Sequence, residues 1–302
     1  MWGATSRRQH QIPTTAVRVG ADTVTPTTSV RDLGIFIDSD LSMRTQVTRT
    51  VAGCFAVLRQ LRSIRRSVLD PVFQSLVVSL VPTKLDYGNA TLTGLPAYQY
   101  RRLQSVLNAA ARQIYRRRRF DHVTSLLREL HWLKSSERVA YKLALTFYRC
   151  LHGLAPSYLA LSVRRVAELD RRRLRSSSSD DVIIPTTRVV TVGDRAFTAA
   201  GSRLWNSLPP DIRSAQTLPV FCNRLKTYLF SKCFPTELYS HITPLMSYSV
   251  LAVLSDFGHN CYIQKPSVNH TKVWLQASGN YWFADSSQQQ TVLSVVLQTF
   301  GE

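Results

Sequence analysis

The sequence predicts a mainly α chain that opens on a short β-hairpin, continues as a helical body and closes with a small α+β module and a tail of no assigned structure. Three observations predict it. Alternation of apolar and polar residues is confined to residues 14–38. From Ser42 onward, apolar residues recur every three or four positions, the period of a helix. One low-complexity stretch, "RRRLRSSSSDD" at residues 171–181, separates the helical part from a shorter segment.

Within residues 14–38 the apolar positions Val17, Val19, Val24, Val30, Leu33, Ile35 and Ile37, with Gly20-Ala21-Asp22 as a turn, read as two or three short strands. Val47, Val51, Cys54, Leu58 and Leu61 then make the stripe of an amphipathic helix that starts at an Asp40 or Ser42 cap. Asp70-Pro71 opens a second helix, with Asp as cap and Pro at the first helical position, running to Pro82. Over residues 97–116, Leu103, Val106, Leu107, Ala110 and Ile114 form one stripe, while Arg101, Arg112 and Arg116 project from the opposite side. The helix is expected to end at the Arg run, so that "RRRRF" opens a loop. A short helix follows at residues 123–130, then one that is apolar nearly all round at residues 139–151, closed by Gly153 and Pro156. Trp132 and Trp205, each flanked by leucines, read as core anchors rather than base-stacking residues.

The Ser-rich stretch reads as a solvated linker. Beyond it "VIIPTTRVVTVG" reads as a hairpin, "DRAFTAAGSRLWNSLPPDIR" as a short helix stopped by Pro209-Pro210, and Thr217 as the cap of a helix ending at Phe230. The expected organisation is therefore a hairpin in 1–40, a helical body in 41–170, a linker in 171–181, a module in 182–234 and an unassigned tail in 235–302.

Charge points to the partner. The 302 residues carry 38 Lys and Arg against 19 Asp and Glu, a net +19, and the pI is about 10.3. Residues 231–302 hold three basic and four acidic side chains, which leaves a net +20 in residues 1–230. Most of the charge is Arg, whose planar guanidinium forks phosphate oxygens and stacks on bases. A polyanion is the expected partner, and nucleic acid the first candidate. Charge runs often do no more than solvate a surface, but Arg59, Arg62 and Arg66, then Arg101, Arg112 and Arg116, then Arg117, Arg118 and Arg119 recur on elements that also have packing faces. Phosphate contact is the reading carried forward.

Signals for chemistry are few. No C-x-x-C or H-x-x-x-H pair offers a zinc site, and Cys222, Cys233 and His241 are scattered. There is no glycine-rich phosphate loop and no nucleophile turn. Asp38 and Asp40 in "DLGIFIDSDLS" would share one face of a strand and so could hold a divalent ion. The same acids just before a helix are also the ordinary composition of an N-cap, which is the favoured reading. The cysteines lack paired spacing and read as reduced core thiols of an intracellular protein, nuclear or cytoplasmic and not secreted. "LMSYSVLAVL" is too short to span a bilayer, so no membrane association is expected.

The stretches "VRDLGIFIDSDLS", "LRQLRSIRR", "KLDYGNATLTGLP", "RRLQSVLNAAARQIYRRRRFDHVTSLLRELHWLKSSERVAYKLALTFYRCLHGLAPSYLA", "LRSSSSD" and "GDRAFTAAGSRLWNSLPPDIR" through "LKTYLF" together resemble the C-terminal part of a LINE-type, non-LTR retrotransposon reverse transcriptase, over residues 2–232. The resemblance implies that residues 14–40 correspond to the end of the palm, near the primer-gripping hairpin, and that residues 41–170 are a thumb-like helical body contacting the template and primer backbone. It implies further that the Asp-Asp turn and the partner Asp that hold two Mg²⁺ ions lie upstream of Met1. No catalytic residue, metal ligand or cofactor is therefore expected on this chain, and no small-molecule substrate. RNA or an RNA/DNA hybrid is the expected partner. Two rival readings stay open at this point: a metal-dependent nucleotidyl transferase using Asp38 and Asp40, and a nonfunctional retroelement relic.

Overall fold

A computed structural model describes residues 15–168, 181–187 and 192–235, and the backbone of two later strands. The chain is mainly helical, with β structure at its N-terminus, as the periodicity predicts. The N-terminal β segment is two hairpins rather than one. Strand β1 (Val17–Val19) pairs antiparallel with β2 (Asp22–Val24), and β3 (Ser29–Asp32) pairs antiparallel with β4 (Ile35–Asp38). Leu33 and Gly34 both have positive φ, 44° and 82°, as a two-residue turn matching strand twist requires. Leucine is a poor residue for that conformation, and its carbonyl is held by the Tyr87 hydroxyl at 2.6 Å.

Helix α1 (Arg44–Ile64) follows β4, and α2 (Asp70–Leu80) begins after a short turn. Asp70 is the first helical residue of α2 rather than its cap, which is Leu69. Pro82 interrupts the helical path without ending it. A further short helix α3 (Pro82–Asp86), absent from the sequence expectation, starts there because proline fits a first turn whose N–H groups need no intrahelical partner. Helix α4 (Ala97–Ile114) runs parallel to α1. The amide of Gln99 donates to the Ser42 carbonyl at 3.0 Å near one end of the pair, and the amide of Gln113 donates to the Leu58 carbonyl at 3.0 Å near the other. Helix α4 buries the stripe that its spacing predicts, Leu103, Val106, Leu107, Ala110 and Ile114, with Ala111 beside it.

Helices α5 (Thr124–Glu129) and α6 (Ser135–Leu151) complete the body, α6 beginning one turn earlier than its apolar run indicates. Helix α6 is the hub. Its Arg138 forms an ion pair with Asp86 through two guanidinium nitrogens, at 2.9 and 2.5 Å. The single turn α7 (Ser157–Ala160) follows. Beyond it, helices α8 (Phe197–Ser207) and α10 (Leu218–Cys233) pack on α6, and the single turn α9 (Pro210–Arg213) between them packs on α10. Tyr148 stacks on Phe221 with centroids 4.3 Å apart, and Trp205 closes the group. Both Trp132 and Trp205 are buried. Thr217 occupies the cap position of α10 without a side-chain bond, and the helix runs to Cys233, one turn past the expected end.

Most of the expected linker at residues 171–181 lies outside the described residues, as does the expected tail apart from Pro235 and the backbones of two strands. The hairpin expected after the linker is not formed by its described part. Val182 instead forms an isolated antiparallel bridge with Arg165, and the side chain of Asn206 both accepts from the Val182 N–H at 3.0 Å and donates to its carbonyl at 2.9 Å. Strands β5 (Val273–Ala277) and β6 (Asn280–Ala284) pair antiparallel. No helix among the described residues is long and apolar enough to cross a membrane.

Gly201 sets the distance between α6 and α8, because a Cβ there would stand 2.5 Å from the Phe147 ring. Gly201→Ala is expected to cost about 1–3 kcal/mol by overpacking this contact, read as a lower urea midpoint at unchanged m-value.

Candidate nucleic-acid interface

The last two turns of α1 carry Arg59 and Arg62, and Arg66 follows in the turn just past the helix C-cap. At 100° per residue Arg59 and Arg62 lie about 60° apart, on the flank beside the buried stripe of Cys54, Leu58 and Leu61. Thr48 shares that flank, and Arg102 reaches it from α4 at 3.0 Å, so the flank borders α4. All three arginines are exposed.

Helix α4 ends beside them. It stops at Ile114, two residues before the Arg run, in a Schellman-type turn with Arg116 at the left-handed position, φ 55°. The Arg116 N–H donates to the Gln113 carbonyl and the Arg117 N–H to the Arg112 carbonyl, the latter at 2.8 Å. The loop that follows is braced. The Arg118 N–H donates to the Asp121 carboxylate at 2.9 Å, the Asp121 N–H donates back to the Arg118 carbonyl at 3.2 Å, and Arg112 Nε donates to the Asp121 carbonyl at 3.0 Å. Arg116 to Arg119 are exposed on this turn.

Arg65 joins the two clusters. It sits at the C-cap of α1, is 9% exposed, and donates to the Ile114 carbonyl at the end of α4 (3.3 Å) and to Asp70 at the start of α2 (2.7 Å). Its guanidinium carbon lies 4.3 Å from the centroid of Phe73. Arg116 donates to the same Asp70 oxygen at 2.9 Å. These hydrogen bonds, from Arg65 first and Arg116 second, hold the Asp70 carboxyl below its usual value of 3.8. The structure thus brings Arg59, Arg62 and Arg66 together with Arg116, Arg117, Arg118 and Arg119 at one end of the α1/α4 pair.

The three arginines expected to share the outer face of α4 have different circumstances. Arg101 is exposed and on the same side as Arg112, but about 16 Å away along the axis. Arg112 is half-buried, with one nitrogen engaged by the loop. Arg116 lies past the helix end and is tied to Asp70.

Sequence reasoning missed Arg65 altogether. In "RSIRRS" it is indistinguishable from Arg66, and only Asp70 and the distant Ile114 carbonyl make one structural and the other free to face solvent. It also missed Phe120, the fifth residue of "RRRRF", which is 89% exposed.

The acid pair does not fit a divalent-ion site. Asp38 is 7% exposed, and its Oδ2 accepts from the Ser42 hydroxyl and from the Thr45 N–H, both at 3.1 Å. It caps α1 from outside the helix, whose own cap position is Met43 in the left-handed region with no side-chain bond. The cap is therefore Asp38, not Asp40 or Ser42. Asp40 accepts from the Ser42 N–H at 2.9 Å. Partial burial raises its pKa, but the Ser42 hydrogen bonds and the Arg44 charge outweigh this and leave it lowered. Among the described residues no three His, Cys, Asp or Glu side chains gather as a metal site. Burial pushes the thiols of Cys54 and Cys233 up to about 11, which suits core packing and not nucleophilic chemistry.

No family model, no curated protein and no solved structure matches the chain.

Asp38→Ala is expected to cost about 0.5–2 kcal/mol, the usual loss on removing a helix cap, read as a lower urea midpoint. Mg²⁺ is expected to leave the Tm of the unaltered chain unchanged. A Tm that rises with Mg²⁺ in the unaltered chain and not in Asp38→Ala would contradict the cap.

Proposed function

We propose that the chain binds RNA or an RNA/DNA hybrid through its phosphate backbone, indifferent to base sequence, and acts inside the cell. The observation that carries this reading is the gathering of seven exposed arginines, on α1 and the turn just past it and on the turn after α4, around a junction fixed by Arg65. Guanidinium groups spaced over two adjacent elements suit successive phosphates better than a single small anion. The resemblance to a LINE-type reverse transcriptase supports the same partner, since its thumb-like region would lie along template and primer. In this reading the chain grips the backbone and contributes no catalytic residue. A core that runs without a break from α1 and α4 through α6 to α10 supports a chain that folds, rather than a relic.

Each phosphate neutralised adds about 0.7–0.9 to the slope of log K against log salt. Replacing Arg59, Arg62, Arg66, Arg117, Arg118 and Arg119 by Gln, with Arg65 and Arg116 kept for the junction, is expected to reduce that slope by about 3–5 at unchanged helical circular dichroism. Fluorescence anisotropy of labelled RNA from 50 to 200 mM KCl measures it. Equal slopes for the two proteins would place the contacts elsewhere, and no binding by the unaltered chain even at low salt would sink the reading.

A further inference from the structure

A single exposed phenylalanine is ordinary on a protein surface. Phe120 is set apart by where it stands and how firmly. It is 89% exposed, at the tip of the turn that carries Arg116 to Arg119, with the Arg119 guanidinium carbon 5.7 Å from its ring centroid. Three hydrogen bonds on Asp121, two of them with Arg118 and one from Arg112, fix the backbone on one side of the ring, and the Schellman-type turn fixes it on the other. A rigid turn presenting an uncovered aromatic face among guanidinium groups has the parts a base-stacking platform needs. The arginines hold the strand, and the ring offers a flat apolar surface to whichever base arrives, since every base has a π-face.

We propose that Phe120 stacks on an unpaired base of a single-stranded segment bound along the arginine ridge. The ligand class is thereby narrowed to nucleic acid with at least one unstacked base at this turn: a single strand, or the frayed end of a hybrid. This inference rests on the proposed backbone binding and adds a contact that backbone binding does not require. It also separates nucleic acid from an acidic polypeptide, which would satisfy the arginines but has no base to offer the ring.

The full-length chain is titrated with three probes: a single-stranded RNA carrying 2-aminopurine, an abasic oligonucleotide of the same length and charge, and polyglutamate. Phe120→Ala is expected to weaken binding of the base-bearing strand about 5- to 100-fold and to abolish quenching of the 2-aminopurine, while changing abasic binding less than about twofold and leaving the salt slope alone. Phe120→Trp is expected to keep both affinity and quenching. Because the side chain is exposed, neither variant should alter the thermal transition. Equal losses on base-bearing and abasic strands, no loss on either, or the same Phe120 dependence with polyglutamate would each overturn stacking. Failure of the unaltered chain to bind any nucleic acid would overturn backbone binding and stacking together. Loss of binding in the arginine variants with none in Phe120→Ala would overturn stacking alone.

Discussion

The buried guanidinium of Arg65 is the constraint on which the arginine ridge depends. One side chain reaches the last carbonyl of α4, the first carboxylate of α2 and the ring of Phe73, and so sets where α1 ends relative to both neighbours. Burying a guanidinium is costly, and its Nε and Nη1 have no hydrogen-bond partner. The compensation comes from the ion pair with Asp70, a charge-assisted bond to a helix C-terminus, and a cation–π contact worth about 2 kcal/mol when shielded from water. A charge-neutral residue of similar volume would fill the site, but would hold neither Asp70 nor Ile114. Arg116 would then lose its shared anchor, and with it the alignment of the two arginine clusters.

The remainder of the molecule supports this end of the helix pair from a distance. Helix α6 packs α4 on one side and α8 and α10 on another. Its Arg138–Asp86 pair, unlike the Arg65–Asp70 pair whose carboxylate is exposed, is largely buried on both sides, and the Asp86 carboxylate also accepts from the Asn89 amide. Removing one member of such a pair strands the other, so these contacts specify one arrangement more than they add net stability. Arg195 works similarly without a carboxylate. It donates to the Leu41 carbonyl at 2.7 Å and to the Thr93 carbonyl at 3.0 Å, stitching the segment before α8 to the start of the body. Part of the chain's large positive charge thus serves packing inside the fold, and seven of the arginines left on the surface gather at one end of the α1/α4 pair.

Much of the fold was legible because helical burial is periodic. The spacing of Leu103, Val106, Leu107, Ala110 and Ile114 named the packed face of α4, and Pro71, Gly153 and Thr217 marked helix ends to within a few residues. What was not legible depends on contacts between residues far apart. Asp38 caps α1 from seven residues before Thr45, whereas capping patterns are read from adjacent positions. Val182 finds Arg165 and Asn206 instead of a hairpin partner downstream. For the site, the list of arginines was legible but their roles were not. Arg65, Arg66 and Arg116 carry the same charge in similar runs, and only the positions of Asp70 and Ile114 in space sort the brace from the surface. The exposure of Phe120 follows from the turn that Asp121 holds, which no periodicity announces.

The central claim is that nucleic acid lies across the end of the α1/α4 pair. Photo-crosslinking of a 4-thiouridine-substituted RNA to the full chain, followed by mapping of the modified peptides, tests it most directly. Crosslinks gathered in residues 59–66 and 112–121, and lost as salt is raised, are the expected result. Crosslinks gathered on α8 to α10, or spread evenly over the chain at every salt concentration, would contradict it.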